Sequence, residues 1–246
     1  MKNETEDRII RLGEEYLHYT LEYKKIKNMN LRIYRDGRVA VSVPVGTQEI
    51  QVEQFLSSYR ERIREILNNC RTAERIRREI MRENKGKVWY LGRRFQKRVI
   101  KADHPFVRFL DDALIVAVLN PQSEKETDHA LRKFWKEECL RLFSQVLTQQ
   151  YLHVRPYGAQ MPTLSVRRMK SRWGSCMPQQ GKITLNTRLI GAPLECVEYV
   201  AAHELCHLLQ PDHSKQFYLW MDRIMPDWRQ RKNRLNQWAK ESEGAE

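Results

Sequence analysis

The sequence predicts an α+β protein built from two modules. Residues 1–122 contain several short runs of β-branched and aromatic residues together with one long charged helix, which predicts a strand-rich first module. Residues 123–246 contain mostly helical patterns and two strand patterns, which predicts a second module of different layout. The boundary is expected at residues 120–126, where Pro121 and Ser123 interrupt the apolar patterns.

The first module opens with a helical pattern and continues with a hairpin. Residues 1–28 are charged and contain little glycine or proline, so a leading helix is predicted there. Residues 31–35 alternate apolar and polar side chains, and residues 39–43 are β-branched. The Asp36-Gly37 pair between them is a strong turn signal. These features predict a β-hairpin.

A long helix and further strands complete the first module. The helix is predicted to begin at Thr47 or Gln48 and to end at the Lys85-Gly86-Lys87 segment, because apolar residues recur along it at helical spacing. After it, short apolar segments predict strands. These strands are expected at residues 88–92, 96–100, 106–110 and 113–119.

The second module is predicted to begin with a helix from about Glu126 to Val154. Strands at Thr163–Met169 and Lys182–Leu189 are expected to pair across the loop at residues 172–181. Three further helices should follow, because helical patterns recur to the end of the chain. They are expected around residues 197–210, at about 214–225 and from Trp228 onward.

The most informative stretch of the chain is His203-Glu204-Leu205-Cys206-His207. Positions four apart lie on nearly the same face of a helix, so the imidazoles of His203 and His207 can bind one ion. Glu204 lies beside that face and can reach a nearby water. This H-E-x-x-H arrangement is typical of zinc hydrolases that use Glu as a general base. The alternative is an amphipathic helix whose histidines pack or face solvent.

A third histidine follows this helix. Pro211 is expected to end the helix, because its ring excludes helical geometry in the preceding residue, and His213 comes directly afterwards. Catalytic zinc sites use three protein ligands and keep one position open. The sequence therefore predicts His203, His207 and His213 as metal ligands. Zn²⁺ suits this nitrogen-rich set, although Ni²⁺, Co²⁺ or Cu²⁺ would also bind. Cys206 lies off the histidine face and is expected to pack in the core, with a thiolate ligand as the alternative.

Several motifs together resemble a known family. They are Ser-Arg-Trp-Gly-Ser-Cys at residues 171–176, Gly-Lys-Ile-Thr-Leu-Asn-x-x-Leu at 181–189, the stretch at 203–207, His-Ser-x-x-Phe at 213–217 and Val-x-Val-Pro-x-Gly at 41–46. The chain resembles the YgjP-like metal-dependent hydrolases, which are zincin-like relatives of the SprT-like and WLM metallopeptidases. The resemblance implies a zincin-like catalytic domain at residues 123–246. It also implies the three histidines as ligands and Glu204 as base.

Composition narrows the functional classes. The formal net charge is +13, which is compatible with weak nucleic-acid association. However, arginines and glutamates are interleaved between Ser57 and Lys85, a pattern typical of a solvated helix face. The five cysteines show no paired spacing, and residues 1–31 lack the apolar core of a signal peptide. No apolar run is long enough to span a membrane. We therefore expect a cytoplasmic protein. The sequence does not determine its oligomeric state.

Three functions remain compatible with these residues. The first is a metallopeptidase acting on peptides or proteins. The second is a nucleotide or phosphoanhydride hydrolase, such as a nucleoside triphosphate pyrophosphatase, in which Lys170 and Arg172 would bind phosphate. The third is a non-catalytic, basic, nucleic-acid-associated adaptor, against which the intact Glu204 argues.

The residues before the second strand pattern are candidates for the wall of the cleft. Arg172 and Ser175 are predicted to line it, since strand edges near the metal of zincins offer backbone groups to an extended peptide. Packing or turn roles are the alternatives for this segment. Cys176 is expected to be structural, and Asn186 to brace the paired strands.

Overall fold

The computed structural model describes residues 5–34 and 36–243. The chain forms two compact units that divide between residues 79 and 80. Helices and mixed sheets occur together, so the predicted α+β class is confirmed. Within the described ranges, none of the helices has the length and apolar character that a bilayer span requires.

A mixed sheet of four strands forms the framework of the first unit. Its strands are β1 (Thr5–Leu12), β2 (Glu15–Lys24), β3 (Asn30–Ile33) and β4 (Val39–Pro44). Their order is β1-β2-β4-β3, with β2 and β4 parallel and the other neighbours antiparallel. The predicted β3–β4 hairpin is confirmed, and Gly37 supplies a φ of 83° in its turn. Arg35 lies outside the described residues.

The predicted leading helix is wrong, because the N-terminal segment forms the β1–β2 hairpin. Leu17, Tyr19 and Leu21 are buried on β2 while the residues between them are less buried, which is the two-residue period of a strand. Gly13 turns the chain between the strands with a φ of 74°. Residues 1–4 of the predicted helix lie outside the described residues.

The helical stretch after β4 is divided into two helices. Helix α1 (Glu49–Ser58) begins after Gln48, which forms a reciprocal capping box with Gln51. Tyr59 interrupts the helix with φ −102° and ψ 8°, and α2 (Arg60–Asn84) continues from it. The predicted start and end of the helical stretch are therefore confirmed, but the break at Tyr59 was not predicted. Val52, Leu56 and Ile63 complete the core of the first unit.

Two sheets and four helices organise the second unit. The first sheet contains β5 (Lys87–Tyr90), β6 (Arg93–Lys101), β7 (Phe106–Leu110) and β8 (Ala113–Val118), in the order β5-β6-β8-β7. The second contains β9 (Thr163–Arg167), β10 (Gly174–Met177) and β11 (Lys182–Asn186), in the order β10-β11-β9. The helices are α3 (Glu124–Val154), α4 (Leu194–Cys206), α5 (Lys215–Ile224) and α6 (Trp228–Glu241).

The predicted strand pair of the second module forms, but its strands run in the same direction. Strand β9 pairs with β11 in parallel, so that Leu164 lies opposite Ile183. The loop predicted between them contains β10, which makes the antiparallel hairpin with β11. Gly181 reverses the chain between β10 and β11 with a φ of 55°. Strand β10 therefore occupies one edge of this sheet.

The long helix α3 joins both parts of the second unit. Phe134 and Trp135 on α3 pack beside Phe109 of the first sheet, and Cys139, Phe143 and Leu147 enter the core around α4. The boundary that was predicted after residue 122 thus lies inside a compact unit. It falls just before α3, and α3 packs both on strands that precede the boundary and on a strand that follows it. The strands β5–β8 belong to the same unit as the H-E-x-x-H helix.

Candidate metal centre

Helix α4 carries the first two histidines of the predicted site. Its last helical residue is Cys206, and His207 caps it in helical geometry, with φ −66° and ψ −19°. The last helical residue therefore lies five positions before Pro211, the residue that was expected to end the helix. The amides of Leu209 and Gln210 bond to the Cys206 carbonyl at 3.0 and 2.9 Å, which closes the last turn. His203 and His207 still share a face, because both keep α-helical geometry.

The turn after α4 brings His213 back onto this face. Asp212 supports the turn, because its carboxylate accepts hydrogen bonds from Gln210 Nε2 at 2.6 Å and from the Ser214 amide at 3.3 Å. His213 Nε2 lies 3.0 Å from His203 Nε2. One ring nitrogen from each of His203, His207 and His213 lies within 4.8 Å of the other two. The three predicted ligands thus form one cluster.

Neighbouring groups orient these imidazoles. His207 Nδ1 lies 3.2 Å from the Gln210 carbonyl, a contact that directs the other ring nitrogen towards the cluster. The Phe217 ring packs against all three histidines, with centroid distances of 4.9 Å to His203, 4.7 Å to His207 and 4.8 Å to His213. An apolar ring behind the ligands limits their movement and excludes water from that side.

The electrostatics of the cluster suit a divalent cation. Burial, reinforced by the charges of His207 and His213, lowers the pKa of His203 to about 3. Burial also lowers the pKa of His207. Imidazoles must be neutral to bind a metal, and the lowered pKa values keep the His203 and His207 rings neutral at physiological pH. Three imidazole nitrogens that lie within 4.8 Å of one another fit a transition metal ion such as Zn²⁺.

Glu204 and the three histidines line the same cavity. The Glu204 side chain is buried, with an exposed fraction of 5%. Burial raises the pKa of Glu204 to about 8, and the positive charge of Arg172 acts in the opposite direction. A raised pKa makes a carboxylate a stronger base than an exposed acid, which suits a group that must accept a proton from water and return it.

The cavity above these residues has a volume of about 530 Å³. Helix α4 and the turn after it form one wall and contribute the three histidines, Glu204 and Tyr199. The segment containing β10 forms the other wall. Arg172, Ser175 and Cys176 all line the cavity. Arg172 is exposed, whereas Cys176 is half-buried and burial raises the pKa of its thiol to about 12.

Cys206 does not join the histidine cluster. Its side chain is fully buried in the core of the second unit, and burial raises the pKa of its thiol to about 12. A protonated, enclosed thiol is a packing group rather than a ligand. The cluster of possible ligands in the described part of the chain contains the three histidines alone.

Asn186 holds the segment before β10 in place. Its Nδ2 group donates to the carbonyls of Met169 at 2.9 Å and Arg172 at 2.7 Å. Its Oδ1 atom accepts from the amides of Met169 at 3.3 Å and Arg188 at 3.1 Å. The side chain is buried, with an exposed fraction of 2%. These contacts agree with the bracing role expected for Asn186.

Tyr199 and Gly174 also line the cavity, and neither was predicted as a site residue from the sequence. Tyr199 precedes His203 by four positions, and this spacing alone places it on the ligand face of α4. Burial, with smaller contributions from Tyr218 and Glu204, raises the pKa of Tyr199 to about 12. Gly174 belongs to the segment for which a turn role was the alternative, and it lies in β10 directly beside Glu204. No local pattern signals that contact.

Comparison with known proteins agrees with this geometry. The model of the YgjP-like metallopeptidase domain matches residues 27–238 of the chain. The chain belongs to the YgjP-like family. The matched YgjP-like region extends from just before β3 into α6 and contains the histidine cluster, Glu204 and β10. Membership confirms the resemblance that the motifs indicated and makes the protein a metal-dependent hydrolase by class.

A solved structure and a search of curated proteins complete the comparison. The crystal structure of the metallopeptidase zymogen abylysin from Pyrococcus abyssi is 20% identical to this YgjP-like chain, with a TM-score of 0.36. The similarity covers 39% of this chain and 93% of the abylysin chain. Among curated proteins, none matched the chain.

Proposed function

We propose that this protein is a zinc-dependent peptidase that uses Glu204 as its general base. The observation that carries the proposal is that a buried carboxyl group and three clustered imidazoles line one cavity. Membership of a metallopeptidase family supports peptides as the substrate class. The histidine nitrogens would hold Zn²⁺, and the same donor set can accept Ni²⁺ or another divalent transition metal.

The chemistry assigns a separate task to each group. A bound zinc ion supplies a Lewis acid that polarises the scissile carbonyl and increases the acidity of water. Glu204 accepts a proton from the attacking water and later delivers it to the leaving nitrogen. Because Glu204 is buried beside the histidines, its carboxylate faces the cavity without the competing hydration of an exposed acid.

The edge strand β10 supports an extended peptide as the substrate. One side of β10 bonds to β11, and among the described residues no strand pairs with its other side. Gly174, Ser175 and Cys176 of this strand line the cavity that contains Glu204. A peptide added to β10 would receive main-chain hydrogen bonds while its scissile bond lay over the histidine cluster. Arg172 and Ser175 lie where they would contact its side chains.

The test uses the full chain loaded with zinc and a set of internally quenched peptides. The wild type should cleave at least some of them, and Glu204→Gln should lower kcat by about 10²–10⁴-fold, because an amide cannot accept the proton. Zinc content measured by elemental analysis should not change. The matched control is Glu195→Gln, which alters an exposed acid on the same helix and should retain wild-type turnover.

Two results would contradict the proposal. The first is a wild-type protein with stoichiometric zinc that cleaves no peptide of the set. The second is a Glu204→Gln variant whose turnover stays close to that of Glu195→Gln.

A further inference from the structure

Two aromatic side chains pack against the histidine cluster, and they differ in chemistry. Phe217 on α5 contacts all three imidazoles and has no polar atom. The Tyr199 ring on α4 lies 6.0 Å from the His203 ring and carries a hydroxyl group. Tyr199 also lines the cavity that contains Glu204, whereas Phe217 does not. Tyr199 therefore adds a hydrogen-bond donor to the chemical site.

The position of the Tyr199 ring is held from behind. It stacks on Trp228 with an interplanar angle of 9° and a centroid distance of 6.4 Å. Trp228 is in turn held by a hydrogen bond from its Nε1 atom to Asp222 Oδ1 at 2.8 Å. Tyr199 is 7% exposed, so its ring is enclosed and its orientation is set before substrate binds. A donor that is already oriented requires little reorganisation during the reaction.

Two other donors of the cavity, Arg172 and Ser175, have different surroundings. Arg172 is exposed, and its long side chain must lose freedom to reach a reacting atom. Ser175 belongs to the edge strand where the proposed function places the substrate backbone. Tyr199 is a buried, uncharged donor on the helix that carries His203 and Glu204. It is therefore the side chain best placed to face a carbonyl oxygen near the histidines.

We propose that Tyr199 is a further catalytic residue, whose hydroxyl donates a hydrogen bond to the scissile carbonyl oxygen as that oxygen becomes negative. This inference rests on the proposed peptidase function. Water oxygen forms a bond to the carbonyl carbon, the carbonyl π electrons move to the oxygen, and a water proton passes to Glu204. The carbon–nitrogen bond then breaks, and the proton passes from Glu204 to the leaving nitrogen. Tyr199 keeps its proton throughout, because a phenol is protonated at neutral pH.

The test is Tyr199→Phe, which keeps the ring and removes only the hydroxyl group. In the zinc-loaded full chain, kcat for a cleaved peptide should fall by about 10²-fold, as expected for one lost oxyanion donor. KM should remain nearly unchanged, because the hydrogen bond strengthens only in the transition state. Affinity for a phosphinic peptide of the same sequence, which mimics the tetrahedral state, should weaken by a comparable factor.

The chain offers a matched control in Tyr218→Phe. Tyr218 also stacks on Trp228, at 5.6 Å and 22°, but it does not line the cavity. Its variant should keep wild-type kcat and inhibitor affinity, and both variants should retain zinc and the wild-type Tm. If Tyr199→Phe keeps the wild-type kcat or loses zinc, the role of Tyr199 is overturned, but the peptidase function is not. A wild type that cleaves no peptide would overturn the peptidase function and this role with it.

Discussion

Gly174 lies directly against the Glu204 side chain. A Cβ atom added at residue 174 would lie 2.7 Å from Glu204 Cγ and 2.8 Å from Glu204 Cδ, well inside the separation at which non-bonded carbons attract. The buried Glu204 has little room to move away. Strand β10 can therefore pass beside this carboxyl group only with glycine at this position, which links the proposed substrate-binding edge to the proposed base.

We expect Gly174→Ala to displace Glu204 and to destabilise the fold by about 1–3 kcal/mol, the usual cost of overpacking. The turnover rate should also fall, by about 10²-fold, because a small misplacement of a catalytic group can slow the reaction by that factor. Thermal melts and peptide kinetics on the zinc-loaded protein would measure both effects.

A double-mutant cycle provides the control for this prediction. In a Glu204→Ala background the atoms that clash are absent, so adding Gly174→Ala should lower the Tm much less than it does in the wild type. Equal losses of Tm in the two backgrounds would show that the cost at residue 174 does not arise from contact with Glu204.

We expect His203→Ala to reduce zinc affinity by more than about 100-fold, because it removes a ligand. Loss of a residue that only hydrogen-bonds to a ligand typically costs about 10–100-fold. Equilibrium dialysis followed by elemental analysis would measure the change. His153→Ala is the matched control, since His153 lies at the end of α3 outside the cluster and should keep wild-type affinity. Wild-type retention of zinc by His203→Ala would rule out this ligand set.

Local spacing explains why the residues of the metal cluster could be predicted from sequence. The i, i+4 relation of His203 and His207 is a property of one helix, and His213 follows in a short turn. The placement of the helix end was less accurate. The predicted stop at Pro211 follows local steric rules, whereas the helix ends earlier because its last carbonyls are satisfied within the turn at residues 207–210.

Strand pairing explains most of what could not be predicted. Local patterns located β9 and β11, but the direction of pairing depends on contacts that only the folded unit supplies. The N-terminal hairpin was predicted as a helix because charged side chains at its exposed positions obscure the alternation of apolar residues. The alternation of Leu17, Tyr19 and Leu21 was the better guide. The contact of Gly174 with Glu204 joins a strand to a helix and has no signature in either segment.

We expect Asn186→Ala to lower the free energy of unfolding by about 1–3 kcal/mol, because it removes four hydrogen bonds between a buried side chain and the backbone. It should also impair catalysis, since the same side chain bonds to the Arg172 carbonyl and holds the segment that enters β10. Urea unfolding and kcat/KM for a cleaved peptide would separate the two effects.

Asn84→Ala is the matched control for Asn186. Asn84 is 1% exposed, and its Nδ2 group donates to the carbonyls of Glu241 at 2.8 Å and Glu243 at 3.0 Å, away from the cavity. Asn84→Ala should cost comparable stability and leave kcat/KM unchanged. If the two variants lose kcat/KM equally, Asn186 has no particular effect on the cavity.

Arg172 separates the peptidase proposal from phosphoanhydride hydrolysis. It is exposed at the cavity wall, so Arg172→Ala should leave the Tm unchanged. For a peptidase, kcat/KM should fall modestly and to a similar extent for neutral peptides of different sequence, because the guanidinium then contacts substrate without stabilising charge at the reacting centre. For a phosphoanhydride hydrolase, turnover of a nucleoside triphosphate should fall far more, because arginine binds phosphate through paired, charge-assisted hydrogen bonds.

The matched control for Arg172 is Arg188→Ala. Arg188 is also exposed, and its guanidinium lies 5.2 Å from the Trp173 ring centroid, but it does not line the cavity. Its loss should leave kcat/KM for peptides and for triphosphates as in the wild type. The phosphoanhydride reaction would be favoured over the peptidase by one combination of results. The wild type and Arg188→Ala would hydrolyse a nucleoside triphosphate efficiently, and Arg172→Ala would not. A large fall in Tm for Arg172→Ala with unchanged kinetics would instead make Arg172 a structural residue, held by its packing rather than by a task in the cavity.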